Sequence, residues 1–342
     1  MQNWDSFKEL INGDKKKFVV CTHTNPDADA IGSSLAWATY LEKKGHEATV
    51  IVPNECPTNL RWMSNYERVV TYEGNPKTKK QAAEIINNAD LICCLDFNAL
   101  GRIKEVGKLV EQSNAKRILI DHHLEPEIEA EYRFSDTTKA ATAEYVFDII
   151  ERLGDAELID EPMAACLYAG IMTDTGSFRH NSTTPAVHQT VAKLMTTGLA
   201  VNRVHRLIFD NNSVGKIKLL GHVLGENLTV LPEFRTAYMT ISEEELKKYG
   251  SNMGDTDGIV NYGLEIENIV MSVLMIERKD EIKLSFRSVG EFSVRELASA
   301  HFEGGGHFNA SGGRTDVSLN KTVEKLLNIL PQYKEKLLKI VK

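Results

Sequence analysis

With 342 residues, 42% apolar and 26% charged, the chain has a globular composition and enough length for two domains, each burying its own core. Its net charge of −8 argues against gripping long duplex DNA through phosphates. No apolar run is long enough to span a bilayer, so no membrane partner is expected.

The opening MQNWDSFKELINGDKKK lacks the apolar centre of a signal peptide and reads as an amphipathic helix. In chain order, FVVC (18–21), ATVIV (48–52), ADLICCLDF (89–97) and RILIDHH (117–123) read as strands. Each is nearly continuously apolar, as in a parallel sheet covered on both faces. Helical patterns lie between and after them, at 30–45, 81–88, 101–113 and 141–153, the βαβ signature of a doubly wound sheet. The pattern is mainly helical from 160 to 225. It then changes: IVMSVLMIE (269–277) and EIKLSFRS (281–288) read as a strand pair, followed by the helix SVRELASAHF, the cluster GGGH and a last helix near 320–340. The domain boundaries fall at 1–199, a helical linker at 200–225, and 226–342. The five cysteines, odd in number and mostly in apolar segments, read as buried thiols in a reducing cytoplasm.

Candidate ligands gather at the carboxyl ends of the apolar runs, where open α/β sheets bind ligands. His23, Asp27 and Asp29 follow the first strand, Asp96 ends ADLICCLDF, and Asp121, His122 and His123 end RILIDHH. Asp174, in TDTGS, follows the apolar stretch ACLYAGIM and is taken as a fourth strand end. Singly, each has a bland alternative: Asp27 and Asp29 suit a helix N-terminus, Asp96 a turn, and a His pair a hydrogen bond. His180 and His188 read as surface or packing residues. Jointly, acidic groups at the ends of strands about 4.8 Å apart are costly without cations. Asp and His without thiolate suit Mn²⁺, Mg²⁺ or a related divalent ion, and two such ions would activate water for displacement at phosphorus.

The set THTNPDADAIGS, LDFN, DHH and TDTGSFR, with SFRS and GGGHFNASG later, resembles the DHH/DHHA1 phosphoesterases, and in length their NrnA-type subfamily. The match runs collinearly over nearly the whole chain. The resemblance implies an α/β fold, with an N-terminal doubly wound parallel sheet as the DHH domain, a smaller C-terminal α/β DHHA1 domain and an active site in the cleft between them. It implies a cytoplasmic, manganese-dependent enzyme that cleaves short single-stranded RNA to 5′-mononucleotides and 3′-phosphoadenosine 5′-phosphate (pAp) to AMP, and leaves a homodimer open. Two Mn²⁺ ions (Mg²⁺ or Co²⁺ as substitutes) would be held by His23, Asp27 and Asp96 and by Asp29, Asp96, His122 and Asp174. Asp121 would orient a histidine, and His123 would meet the scissile phosphate or act near the leaving oxygen. Two positions depart from the pattern: Ala28 and Glu303 stand where glycine is common.

In EIKLSFRS, Ile282, Leu284 and Phe286 share one strand face, leaving Lys283, Ser285 and Arg287 on the other. Successive glycines let backbone N–H groups approach a phosphate, as in an anion-binding nest. By resemblance, Arg287, Gly304, Gly305, Gly306 and His307 hold the substrate's remote end, a ruler that favours short substrates. Phe178, Phe302 and Phe308 are candidates for stacking on a base, with core packing the competing role. Rival readings are a phosphodiesterase for linear or cyclic di-adenylate, an inorganic pyrophosphatase or exopolyphosphatase, a RecJ-like exonuclease, and a non-catalytic nucleotide-binding protein. ERKDE (277–281) supplies only Arg278 and Lys279 toward the basic cluster a pyrophosphatase would need.

Overall fold

The apolar runs of the first half form one parallel sheet. Its strands are β1 (Lys17–Cys21), β2 (Glu47–Val52), β3 (Val70–Thr71), β4 (Leu91–Leu95), β5 (Lys116–Asp121) and β6 (Tyr132–Ser135), in the spatial order β3-β2-β1-β4-β5-β6. A computed structural model describes residues 3–252 and 254–342. The chain divides into two compact units, one ending at Asn211 and one running from Asn212 to Lys342.

Both faces of the first sheet are covered, which is why its inner strands carry no polar alternation. Val20, Val50 and Cys93 pack with α1 (Trp4–Asn12), α2 (Ala28–Lys43), α5 (Thr142–Leu153) and α6 (Glu161–Asp174). On the opposite face, Val19, Ile51 and Ile92 pack under α3 (Pro76–Asn87) and α4 (Lys104–Gln112). The helices α7 (Pro185–Met195) and α8 (Val201–Phe209) complete the unit. The edge strands β3 and β6 are too short or too exposed for an apolar run: Tyr132 and Phe134 are buried, whereas Arg133 between them is exposed.

One expectation is corrected. ACLYAGIM is not a strand; it is the middle of α6, so Asp174 ends a helix. The helix is buried on every side, and a short uniformly apolar run has no period to separate helix from strand. Its approach to α2 is close. A Cβ on Gly32 would stand 2.3 Å from the Cys166 carbonyl oxygen, a distance no side chain tolerates.

The second unit is built on a mixed sheet of β7 (Leu228–Leu231), β8 (Thr236–Ile241), β9 (Met271–Glu277), β10 (Ile282–Ser288), β11 (Gly305–Gly306) and β12 (Ala310–Thr315), ordered β11-β12-β10-β9-β8-β7. Leu284 and Phe286 face a core shared with α12 (Val294–His301) and α13 (Leu319–Lys339). Leu274 and Ile276 face another, under α9 (Val214–Glu226), α10 (Glu243–Lys248) and α11 (Ile259–Glu265). The 200–225 stretch is shared out: Val204 and Ile208 of α8 enter the first unit's core, and Leu219 and Val223 of α9 the second's. All five cysteines are buried free thiols. Among the described residues, no helix is long and apolar enough to cross a membrane.

Candidate metal centre

The strand order of the first sheet reverses between β1 and β4, and a crevice opens at such a switch point outside the carboxyl ends of the strands. The loops leaving β1, β4 and β5 deliver the ligands there. Asp27 caps α2, its Oδ1 accepting the N–H groups of Asp29 and Ala30 at 3.1 and 3.0 Å. Its Oδ2 lies 3.8 Å from His23 Nε2. Capping and ligand supply are thus compatible in one carboxylate.

Asp96 stands at the centre. Its Oδ2 is 3.3 Å from His23 Nε2, and its Oδ1 is 3.5 Å from His122 Nε2 and 3.7 Å from His123 Nδ1. Its backbone is left-handed, φ 63°, a conformation that Asp and Asn adopt more readily than most residues. From the end of α6, Asp174 Oδ2 lies 3.5 Å from His122 Nε2. Asp121 Oδ1 is 2.8 Å from His123 Nδ1, while Asp121 Oδ2 is buried with no hydrogen-bond partner among the described residues. His122 Nδ1 meets the Lys139 carbonyl at 3.3 Å, leaving Nε2 to face the carboxylates.

Among the described residues three donor sets result: His23, Asp27 and Asp96; Asp29, His122 and Asp174; and Asp96, His122 and His123. Within each set, ligand atoms lie within 4.8 Å of one another. Their protonation shows the cost of assembling them. Burial, then the charges of Asp96, Asp174 and Asp27, push the Asp29 carboxyl well above the ordinary range. Burial, with Asp27 and Asp96, does the same to Asp174. Burial works against a charged His23, yet its hydrogen bond to Asp96 and the charges of Asp27 and Asp96 lift it to about 9. Asp96 shifts the other way: burial opposes its charge, and His23, His122 and His123 hold it well below the ordinary range. Such a set fits a divalent cation: oxygen and imidazole donors without thiolate, excess carboxylate charge and an orphaned buried oxygen.

Three further residues take part with no metal-ligating group to mark them in the sequence. Thr142, the first residue of α5, donates its N–H to Asp29 Oδ2 at 2.7 Å and its hydroxyl to Asp96 Oδ1 at 3.0 Å; Ala143 N–H reaches Asp29 Oδ1 at 2.8 Å. The positive end of a helix thereby holds a buried carboxylate. A Cβ on Gly170 would come within 2.6 Å of Asp29 Oδ1, so glycine leaves room for that carboxylate. The signal for Thr142 was its place at the start of a predicted helix.

Residues 17–171 match the DHH family, N-terminal domain, and residues 235–336 match the DHHA1 domain. The bifunctional oligoribonuclease and PAP phosphatase NrnA of Thermus thermophilus is 30% identical over 329 residues, 95% of this chain and 93% of its own. The chain belongs to the DHH/DHHA1 phosphoesterase family. The crystal structure of an exopolyphosphatase-related protein from Bacteroides fragilis is 36% identical with a TM-score of 0.94, over 98% of this chain and 97% of that one. RecJ from Thermus thermophilus, in complex with Mn²⁺, shares the fold at 13% identity and a TM-score of 0.54, over 97% of this chain and 54% of its own.

The other DHH/DHHA1 candidates lie in the second unit. Arg287 is on β10, half-buried, and its Nη1 donates to the Phe286 carbonyl at 2.9 Å. The glycines form no loop nest: Gly305 and Gly306 make the edge strand β11 against Gly312 and Ser311 of β12. Backbone packing decides this, since a Cβ on Gly304 would lie 2.3 Å from the Gly312 carbonyl oxygen. His307 begins the turn, exchanging backbone hydrogen bonds with Ala310 at 2.9 and 3.3 Å. Phe302 is fully buried, Phe178 packs on the first unit's core and Phe308 is exposed. The His188 ring lies tilted against that of Phe178, centroids 5.6 Å apart, and exposed His180 meets the Asp174 carbonyl at 3.1 Å.

Proposed function

We propose that the chain is a metal-dependent phosphoesterase that hydrolyses short oligoribonucleotides to 5′-mononucleotides and pAp to AMP. The observation that carries this reading is the sharing of Asp96 and His122 among donor sets, the arrangement expected of two neighbouring cations with a bridging carboxylate. His23, Asp27 and Asp96 would hold one Mn²⁺ ion, and Asp29, Asp96, His122 and Asp174 the other, with Mg²⁺ or Co²⁺ as substitutes. Bound there, the pair would neutralise carboxylate charge and acidify water for in-line attack on phosphorus.

The chain's own residues do the rest. Asp121 holds His123 through Nδ1, which fixes the ring, and Nε2 would make the phosphate contact. Burial disfavours a charged His123, but the Asp121 hydrogen bond and the charges of Asp96 and Asp121 raise its affinity for a proton. An imidazolium there suits an anionic ester and can protonate the departing oxygen. In the second unit, Arg287, Gly304, Gly305, Gly306 and His307 bind a terminal phosphate, which favours short substrates over long RNA. The name of the T. thermophilus relative supports the substrate class.

A Mn²⁺-dependent time course on two- to five-nucleotide RNAs, a twenty-nucleotide RNA and pAp tests the proposal. Fast consumption of the short RNAs and pAp is expected. Equal rates on the long RNA would overturn the substrate assignment, and no metal-dependent hydrolysis of any substrate would overturn the reaction.

The designation of the B. fragilis protein as exopolyphosphatase-related favours polyphosphate as a second reading, with pyrophosphate as the related small anion. Against it, Arg278 and Lys279 sit in the β9–β10 turn beside Glu277, Asp280 and Glu281. Adding both anions to the same assay separates the two.

A further inference from the structure

The outer face of the β11–β12–β10 corner carries a row with almost no side chains. Gly305 pairs with Gly312, and Gly312 with Ser285, so the three residues lie abreast across three strands. Neither glycine is required by packing. A Cβ on Gly305 would meet nothing within 4 Å, and one on Gly312 only the Leu284 carbonyl oxygen at 3.7 Å, an ordinary contact. Neither has a positive φ. Glycine in a strand is destabilising relative to alanine, because it loses more backbone freedom on folding. Two such residues therefore keep a surface bare at the expense of stability, while Gly313, between Gly312 and Arg314, faces Phe302 and Phe286 in the core.

Cations flank the bare row on both sides. Arg287 stands two residues along β10 from Ser285, opposite Ala310. Two residues the other way stands Lys283, directly opposite Arg314. Like charges facing each other across an antiparallel pair repel. Arg314 is partly offset by Glu303, with Nε 3.3 Å from Oε2, but both side chains are mostly exposed, 64% and 74%. Such an exposed pair is weak enough for a phosphate to displace it. Glu303 has φ 26°, in the left-handed region that disfavours a side chain, and stands where the family pattern commonly has glycine. Four residues of strand separate Lys283 from Arg287, about 13 Å, too far for one phosphate to engage both.

We propose that Lys283 and Arg314 form a second anion subsite, which takes a phosphate of an oligonucleotide separate from the one bound at Arg287, with the intervening nucleotide lying on the Gly305–Gly312–Ser285 surface. This rests on the oligonucleotide reading above and adds to it. The subsite distinguishes chains of several phosphates from a single nucleotide, and Glu303 competes for it.

The test is binding of the full chain, in chelator so that turnover plays no part, to a fluorescent penta-adenylate and, by competition, to pAp. Lys283→Ala/Arg314→Ala, at two exposed positions, is expected to weaken the pentamer about tenfold. It should flatten the dependence of log affinity on log salt by about 0.7 and change pAp affinity less than twofold. Glu303→Gln should tighten the pentamer. Gly312→Val should weaken it with no loss of thermal stability, since a Cβ there makes only an ordinary contact with the Leu284 carbonyl oxygen. Equal losses for pentamer and pAp, or no change in the pentamer, would overturn the subsite. Absence of hydrolysis by the unmodified chain would instead overturn the proposed reaction and leave this binding result to be read by itself.

Discussion

The hydroxyl of Thr142 donates to Asp96 at 3.0 Å, and the same residue's N–H reaches Asp29 at 2.7 Å. One residue at the start of α5 therefore fixes two carboxylates that arrive from β4 and α2. Groups that hold a ligand without touching the metal are worth about 10–100-fold in affinity. Thr142→Ala removes only the hydroxyl, so Mn²⁺ affinity should fall within that range while the N–H to Asp29 persists. Thr142→Ser should restore it. Calorimetric titration of both variants checks this; unchanged affinity in Thr142→Ala would show that Asp96 holds its place unaided.

Gly170 gives a steric counterpart. An alanine Cβ would press on Asp29 Oδ1 at 2.6 Å and on Ala143 Cβ at 2.8 Å, inside van der Waals contact. Overpacking of this kind costs about 1–3 kcal/mol. Gly170→Ala should lower the melting temperature of the chelated protein and weaken Mn²⁺ binding together. Alanine at Gly221, where a Cβ meets nothing within 4 Å, should do neither. Thermal melts with and without Mn²⁺ read both effects.

Acid should act on the second unit through Glu245. Burial opposes its charge, but hydrogen bonds from Asn227, the Ser242 N–H, His222 and the Ser242 hydroxyl bring it down from 4.5 to about 2. A carboxylate depressed in the folded state contributes stability that is complete above the unfolded value of 4.5 and is lost as pH falls toward 2. Glu245→Gln should therefore be less stable than the natural chain at pH 7, with the gap closing as pH falls between those values. Urea midpoints across that range decide it; a constant gap would mean that Glu245 contributes through packing alone.

The parallel sheet was legible because its inner strands are covered on both faces and must be apolar throughout, as LICCL is. The edge strand YRFS was not, because Arg133 faces solvent and breaks the run. The sequence pointed to every acid and histidine of the three donor sets as one group, because such residues gathered after apolar runs are costly without cations, and the fold brings them together. Asp174 was named for its chemistry but assigned to the wrong element, as ACLYAGIM is apolar all round inside α6. Thr142 and Gly170 escaped notice because their roles lie in a backbone N–H, a hydroxyl and a missing Cβ. GGGH read as a nest because a glycine run says nothing of its partner strand, and the contact of Gly304 with Gly312 is long in sequence but immediate in space.

The central claim is that Asp96 joins two cation sites. Its left-handed backbone makes Asp96→Asn the informative change, since asparagine keeps φ 63° where alanine would add strain. The most direct measurement is the number of Mn²⁺ ions bound per chain at saturation, for the natural protein and for Asp96→Asn, alongside hydrolysis of a short RNA. Two ions in the natural chain, fewer in the variant, and lost hydrolysis with an intact cooperative melt are predicted. A variant that still binds two ions and cleaves RNA, or a natural chain that never binds a second, would contradict it.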